Sequence, residues 1–184
     1  MKMASSAQLI YFGTAVAFAG FAAVQDIRTK KIRNWLTGSG ILLGLALHLG
    51  LGGFAEVGWS LLAGLIAGSV FLVFFLAGGM GAGDVKLITA IGCIVGIGSI
   101  RDVLLASVLI GSVFAIALAV KHGKLRETMR NVIALVVHHS ANGLTAHPEL
   151  NVTRSETLRL PYAVPIAFGC LIAFYVGTSA GGMQ

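Results

Sequence analysis

Six stretches of apolar residues, each about as long as a bilayer is thick, follow one another along the chain. A membrane-spanning helix needs about 20 apolar residues, with a range of about 17–25. The fourth stretch is the shortest, and only Arg101 and Asp102 separate it from the fifth, which predicts a tight hairpin at that pair. The pattern predicts an all-α polytopic membrane protein with about six transmembrane helices. The stretches cover residues 7–24, 35–54, 58–77, 85–100, 103–120 and 161–177.

The composition agrees with a membrane protein. Hydrophobic residues make up 57% of the 184 positions and charged residues only 11%, whereas a soluble globular domain carries about 25% charged residues. No linker of domain size interrupts the chain, so we expect a single membrane domain over residues 1–184. The net charge is +6, but the basic residues cluster between the apolar stretches. That distribution is typical of membrane topology and lipid headgroup contact, and not of nucleic-acid binding.

The basic residues also predict the orientation of the helices. Eleven of the 13 lie in three segments, at about 25–35, 78–86 and 121–160, which the positive-inside rule assigns to the cytoplasm. Both termini then lie outside. In the third segment, apolar residues recur at helical spacing from Leu125 to Val136, with basic residues nearby from Lys121 to Arg130, which predicts a cytoplasmic interfacial amphipathic helix. The alternative is a half-inserted segment around Asn131 to Val137.

Two aspartates are the candidate chemical groups. Asp26 follows the first apolar stretch and Asp84 precedes the fourth, so the topology puts both at the cytoplasmic face. A carboxylate near hydrocarbon is costly and indicates a function by default. Two carboxyl groups brought together can share a proton and supply a general base and a general acid without a metal or cofactor. Structural alternatives stay open: Asp84 as a helix cap, and Asp26 as an interfacial residue paired with Arg28 or Lys30.

Glycine is abundant, with 25 residues, and it recurs at two kinds of position. Gly78, Gly79, Gly81 and Gly83 precede Asp84, where missing side chains would let an extended peptide lie against the backbone. Gly-x-x-x-Gly also occurs in three apolar stretches, beginning at positions 40, 64 and 92. Such spacing favours close helix packing, which we assign mainly to contacts within the chain, although a homodimer stays open.

Histidine and cysteine indicate no metal site. Cys93 and Cys170 lie inside apolar stretches, which predicts small buried residues and not disulfide partners or metal ligands. His138, His139 and His147 lie in a polar loop, which predicts solvated side chains.

Residues 81–86, Gly-Ala-Gly-Asp-Val-Lys, resemble the Gly-x-Gly-Asp signature of membrane aspartic peptidases, in the Asp-Val-Lys form of type IV prepilin peptidases. Asp26, followed by a basic stretch and Ile32-x-Asn34, resembles the first catalytic segment of that family. Residues 160–165, Leu-Pro-Tyr-Ala-Val-Pro, resemble its proline-containing entry to the last helix. The resemblance covers nearly the whole chain, in matching order and spacing.

The resemblance implies an inner-membrane aspartic endopeptidase that removes the leader peptide of prepilin precursors at the cytoplasmic face. It implies that Asp26 and Asp84 are the catalytic pair, without metal or cofactor, and that pilus assembly machinery is a potential partner. It also implies a supporting role for four further motif residues: Asn34, Gly81, Gly83 and Lys86.

The chain departs from the family pattern in two ways. The family usually has proline between Ile32 and Asn34, where this chain has Arg33. Larger members also carry a zinc-binding insert with paired Cys-x-x-Cys motifs between the first helices, and they methylate the new N-terminus. Here only about ten residues join the first two apolar stretches and no Cys-x-x-Cys occurs. The chain therefore resembles the short, tight-adherence (Flp-pilus) type, which predicts a peptidase without methyltransferase activity.

Two other classes of function compete with this interpretation. In the first, Asp26 and Asp84 relay protons or bind a cation in a transporter or channel, a common role of intramembrane acids. That function calls for acids in the middle of a span, and none lies there. The second is a non-catalytic subunit of a secretion machine, which would leave the two aspartates unexplained.

Overall fold

The computed structural model describes residues 6–76, 80–123, 126, 129–130, 134 and 161–181. Within these residues the chain forms six continuous helices and no strand, which confirms the predicted all-α membrane fold. The helices are α1 Ser6–Thr29, α2 Asn34–Gly52, α3 Phe54–Leu76, α4 Ala82–Val95, α5 Ile100–Lys121 and α6 Ala163–Gly181. Of these, α1, α2, α3 and α5 are long and apolar enough to cross a membrane, and α6 contains a shorter apolar helix.

Most of the third predicted cytoplasmic segment lies outside the described residues. This includes nearly all of the predicted interfacial helix, its half-inserted alternative, and the three loop histidines. Those interpretations therefore remain predictions.

The shortest helix, α4, lies at the centre of the bundle. It packs against α1, α2, α3 and α6, and from Leu87 to Val95 every residue except the half-buried Thr89 is buried. Its 14 residues span about 21 Å, less than the roughly 30 Å of a hydrocarbon core. Because protein surrounds α4, its length does not have to match the bilayer.

Glycine allows the neighbours of α4 to approach it closely. A Cβ atom at Gly92 would lie 2.8 Å from the carbonyl oxygen of Ala63 and 2.9 Å from the Cα of Gly64. A Cβ at Gly44 would lie 2.6 Å from the carbonyl oxygen of Cys93. The Ser60 hydroxyl donates a hydrogen bond to that same Cys93 oxygen, over 2.7 Å. The predicted use of the Gly-x-x-x-Gly motifs for packing within the chain is therefore confirmed.

Large apolar side chains cover the outside of the bundle, and small ones fill much of its inside. Leu109 on α5 is 67% exposed and Leu65 on α3 is 65% exposed, whereas Ala15 and Ala19 on α1 are completely buried. In water this arrangement would be unfavourable, but lipid solvates leucine well, and small residues let helix backbones pack tightly.

One turn and one linker differ from the sequence prediction. The predicted hairpin at Arg101–Asp102 is wrong, because the turn occupies residues 96–99 and both residues belong to the first turn of α5. Gly96 ends α4 with a φ of 74°, a backbone conformation that glycine adopts easily. The first linker is also shorter than the predicted segment at about 25–35, because α1 continues to Thr29 and α2 begins at Asn34.

Candidate active site

Asp84 is the third residue of α4, after the helix cap Gly81. Its Oδ2 accepts a hydrogen bond from the Gly81 N–H over 3.2 Å, and its own N–H donates to the Gly81 carbonyl over 3.1 Å. Asp84 therefore helps to cap α4, although from the third position and not as the cap residue itself. The helix N-terminus favours a negative charge there, and the capping bond fixes the orientation of the carboxylate.

Asp26 lies inside α1, one turn before its end, and the residue is only 8% exposed. It continues a buried stripe of small residues, Ala15, Ala19 and Ala22, at spacings of four, three and four positions. Positions three and four apart share one face of a helix. Asp26 is therefore on the face that α1 turns towards the protein, and its carboxylate is much less exposed than that of a solvated interfacial residue.

The packing of α1 against α2 and α4 fixes how these helices are aligned along the bundle. Phe18 of α1 and Ala90 of α4 both pack against Gly40 of α2. Near the opposite end, Tyr11 of α1 stacks on His48 of α2 with ring centroids 4.2 Å apart, and His48 packs against Gly96 after α4. These two levels show that α1 and α4 run antiparallel.

The antiparallel alignment brings both aspartates to the same end of the bundle. From the level of Phe18 and Ala90, seven residues along each helix lead to Gln25 on α1 and Gly83 on α4, a rise of about 10 Å in both cases. Asp26 is one residue beyond Gln25, and Asp84 is one residue nearer to Ala90 than Gly83 is, so the two aspartates lie within about one helical turn of the same depth.

Two contacts join the segment that follows Asp26 to the segment around Asp84. A Cβ at Gly83 would lie 3.2 Å from the Cβ of Ile32, so the linker between α1 and α2 packs on the start of α4. One turn further on, the Lys86 Nζ donates a hydrogen bond to Asn34 Oδ1 over 2.9 Å. The motif residues singled out from the sequence are thus brought together in pairs: Gly81 with Asp84, Lys86 with Asn34, and Gly83 with Ile32.

Arg33, which occupies the usual proline position, adopts a backbone conformation that suits proline. It is the N-terminal cap residue of α2, with φ −76° and ψ 139°, and proline fixes φ at about −65° within about 15°. The linker therefore makes the turn that a proline at this position would favour.

Tyr162 is a residue near the site to which the sequence assigned no role. It lies immediately before α6, its ring packs edge-on against Phe71 with centroids 5.9 Å apart, and its hydroxyl lies against Gly111 of α5. Burial raises the pKa of the Tyr162 phenol, and the negative charge of Asp84 raises it further. In the sequence, Tyr162 belongs to the proline-containing segment at residues 160–165. Nothing in that segment indicates that Tyr162 lies near Asp84.

The fold and one comparison define the class of this protein as a membrane protease, a hydrolase. The family model described as the type IV leader peptidase family matches residues 14–116, which include both aspartates and both linking contacts. This match covers more than half of the chain, and the chain belongs to the type IV leader peptidase family. No curated protein and no solved structure matches the chain.

Proposed function

We propose that this protein is a prepilin peptidase that cleaves the leader peptide of type IV, Flp-like prepilins, with Asp26 and Asp84 as its catalytic pair. The observation that carries the proposal is the joining of the two aspartate segments by the Ile32–Gly83 packing and the Asn34–Lys86 hydrogen bond. Family membership supports a leader peptidase activity, and it favours this function over an ion pathway.

In the proposed mechanism, one ionised carboxylate accepts a proton from a water molecule as the water oxygen attacks the scissile carbonyl carbon. The other, protonated carboxyl group donates to the carbonyl oxygen, and a tetrahedral intermediate forms. As the C–N bond breaks, the carboxyl group that took the water proton gives it to the leaving nitrogen. The other carboxylate takes a proton from a hydroxyl of the intermediate, and a new carboxyl terminus is released. Each carboxyl group acts by general acid–base catalysis, which contributes typically 10²–10⁴-fold to the rate.

The glycine-rich start of α4 is the proposed binding surface for the precursor peptide. Gly81 and Gly83 carry no side chain next to the Asp84 carboxylate, so an extended peptide can approach the backbone there. Gly83 already contacts Ile32, which would form one wall of the peptide site. The peptide would then lie between the start of α4 and the linker after α1.

The short linker between α1 and α2 and the distribution of basic residues support a more specific proposal about the type of peptidase and the location of its active site. Only residues 30–33 separate α1 from α2, too few for the zinc-binding insert of larger relatives, which supports a Flp-type peptidase without N-methylation. The distribution of basic residues supports an active site at the cytoplasmic face of the bacterial inner membrane. We further propose that residues 1–184 form one domain that can work beside the pilus assembly machinery, as a monomer or a homodimer.

The test is cleavage of a small pilin precursor, followed by gel shift, in membranes that contain the wild type, Asp26→Asn or Asp84→Asn. Asparagine keeps the shape of aspartate and removes its proton chemistry, so we expect each variant to cleave at least about 10³-fold more slowly. Asp102→Asn, which changes an aspartate in the first turn of α5, is the matched control and should cleave normally. Retained processing in both site variants would contradict the catalytic pair.

A further inference from the structure

The side-chain oxygen of Gln25, the residue before Asp26, is buried and accepts no hydrogen bond from the residues that the structure describes. Buried polar atoms in proteins are nearly always paired, because a buried acceptor without a donor loses its water without replacement. The backbone of Gln25 is in regular surroundings: its carbonyl lies 2.9 Å from the Thr29 hydroxyl, which donates to it. The side-chain oxygen of Gln25 is therefore a buried acceptor that no described residue satisfies.

The helical position of Gln25 places it on the face of α1 that packs against α2 and α4. Tyr11, Phe18 and Gln25 are spaced seven residues apart on α1, so they share one face of the helix. Tyr11 on this face stacks on α2, and Phe18 packs where α2 and α4 meet. Gln25 is the next member of the series, at the level of Gly83, where the Ile32 and Asn34 contacts join α1, α2 and α4.

The other two buried polar atoms without a hydrogen bond, among the described residues, are in different surroundings. His48 Nδ1 lies 3.8 Å from a carboxylate oxygen of Glu56, so it has an electrostatic neighbour at the opposite end of the bundle. The Ser107 hydroxyl is on α5, packed against Gly169 of α6. Of the three atoms, only the Gln25 oxygen is next to an aspartate of the proposed pair.

We propose that Gln25 is a positioning residue that accepts a hydrogen bond from a backbone N–H of the bound precursor peptide. This inference rests on the proposed peptidase function and specifies how its site holds the substrate. An amide oxygen can only accept, so its partner must be a donor, and an extended peptide beside Gly83 offers backbone N–H groups at regular intervals. Because nearly every residue has a backbone N–H, the bond fixes the position of the peptide without selecting its side chains.

The test compares the kinetics of cleavage of one leader-peptide substrate by the full-length wild type, Gln25→Met, Gln25→Glu and Ser107→Ala. Methionine matches the length of glutamine but offers no amide oxygen, whereas glutamate keeps an acceptor at the same place. We expect Gln25→Met to raise KM about fivefold, the effect of one hydrogen bond, with kcat within about twofold, as for a contact that binds ground state and transition state alike. Gln25→Glu should have a KM closer to the wild type.

Ser107→Ala is the matched control because it also removes a buried oxygen without a hydrogen bond, and its KM should equal that of the wild type. An unchanged KM in Gln25→Met would overturn the inference while leaving the peptidase function standing. If the wild type does not cleave at all, the proposed function fails separately. Binding of the same peptide, measured with and without Gln25→Met in an Asp84→Asn background, then decides the inference: equal affinities overturn it, and an affinity about fivefold weaker with methionine supports it.

Discussion

Lys86 and Asn34 are joined by a hydrogen bond of 2.9 Å, across 52 positions of sequence. Lys86 lies two residues after Asp84, and Asn34 opens the helix that follows the Asp26 segment. The bond therefore connects the two halves of the proposed catalytic site through groups that belong to neither aspartate. Its effect is to fix the start of α2 against the start of α4.

We expect Lys86→Met and Asn34→Ala each to lower the free energy of unfolding, because each removes this one hydrogen bond. Both side chains are exposed, so the coupling energy between them should be modest, about 0.5–1 kcal/mol. A double-mutant cycle on thermal unfolding in detergent measures it directly, and cleavage rates in the same four proteins should show a coupling of the same sign. Strictly additive effects in both measurements would mean that the bond does not position the two segments.

Arg33→Pro should be tolerated and mildly stabilising. The native φ of −76° is within the range of proline, and a proline in a compatible turn raises the free energy of unfolding by about 0.4–1 kcal/mol because it restricts the unfolded chain. Arg33→Ala is the control for loss of the positive charge. The measurements are thermal unfolding and precursor cleavage, with cleavage expected within about twofold of Arg33→Ala. A proline variant that is inactive beside an active alanine variant would show that the linker needs another shape.

Gly92→Ala should destabilise the bundle by about 1–3 kcal/mol, the usual cost of overpacking a well-packed core. The added methyl group would meet the backbone of Ala63 and Gly64 at 2.8–2.9 Å, and backbone atoms cannot rotate away as a side chain does. Gly58→Ala is the matched control, because a Cβ at this α3 position meets nothing within 4 Å. It should be neutral or slightly stabilising. Equal unfolding temperatures for the two variants would contradict the close approach of α3 and α4.

The fold class could be predicted from the sequence because apolar length is a strong signal in membrane proteins. The ends of the helices could not, since hydropathy marks where the chain leaves the hydrocarbon and not where the helix ends. Arg101 and Asp102 illustrate this: they are polar, yet they form the first turn of α5, where an acidic residue interacts favourably with the helix dipole. Asp26 is similar, because α1 continues beyond it to Thr29.

The candidate site was predictable only as far as its motifs extend. Asp26, Asp84 and their neighbours in sequence were found because the motif residues are close along the chain. Packing between helices that are distant in sequence brings three further residues near the site: Ile32, Gln25 and Tyr162. Ile32 is an ordinary apolar residue in a basic linker, and nothing in its local sequence indicates that it contacts Gly83. Such pairings depend on how α1, α2 and α4 are aligned, which a single sequence does not specify.

The enclosure of α4 has a consequence for how chains of this kind can diverge. On α5, outward-facing residues such as Leu105, Leu109 and Val113 are exposed, so one apolar residue can replace another there without any compensating change. A substitution along Leu87–Val95 instead meets neighbours on every side and needs a matching change in α1, α2 or α3. The amino-acid sequence of the segment that follows Asp84 should therefore change slowly between related proteins, and in correlated pairs, because the packed volume must be kept. A low rate of substitution along α4 would not by itself identify a residue as catalytic.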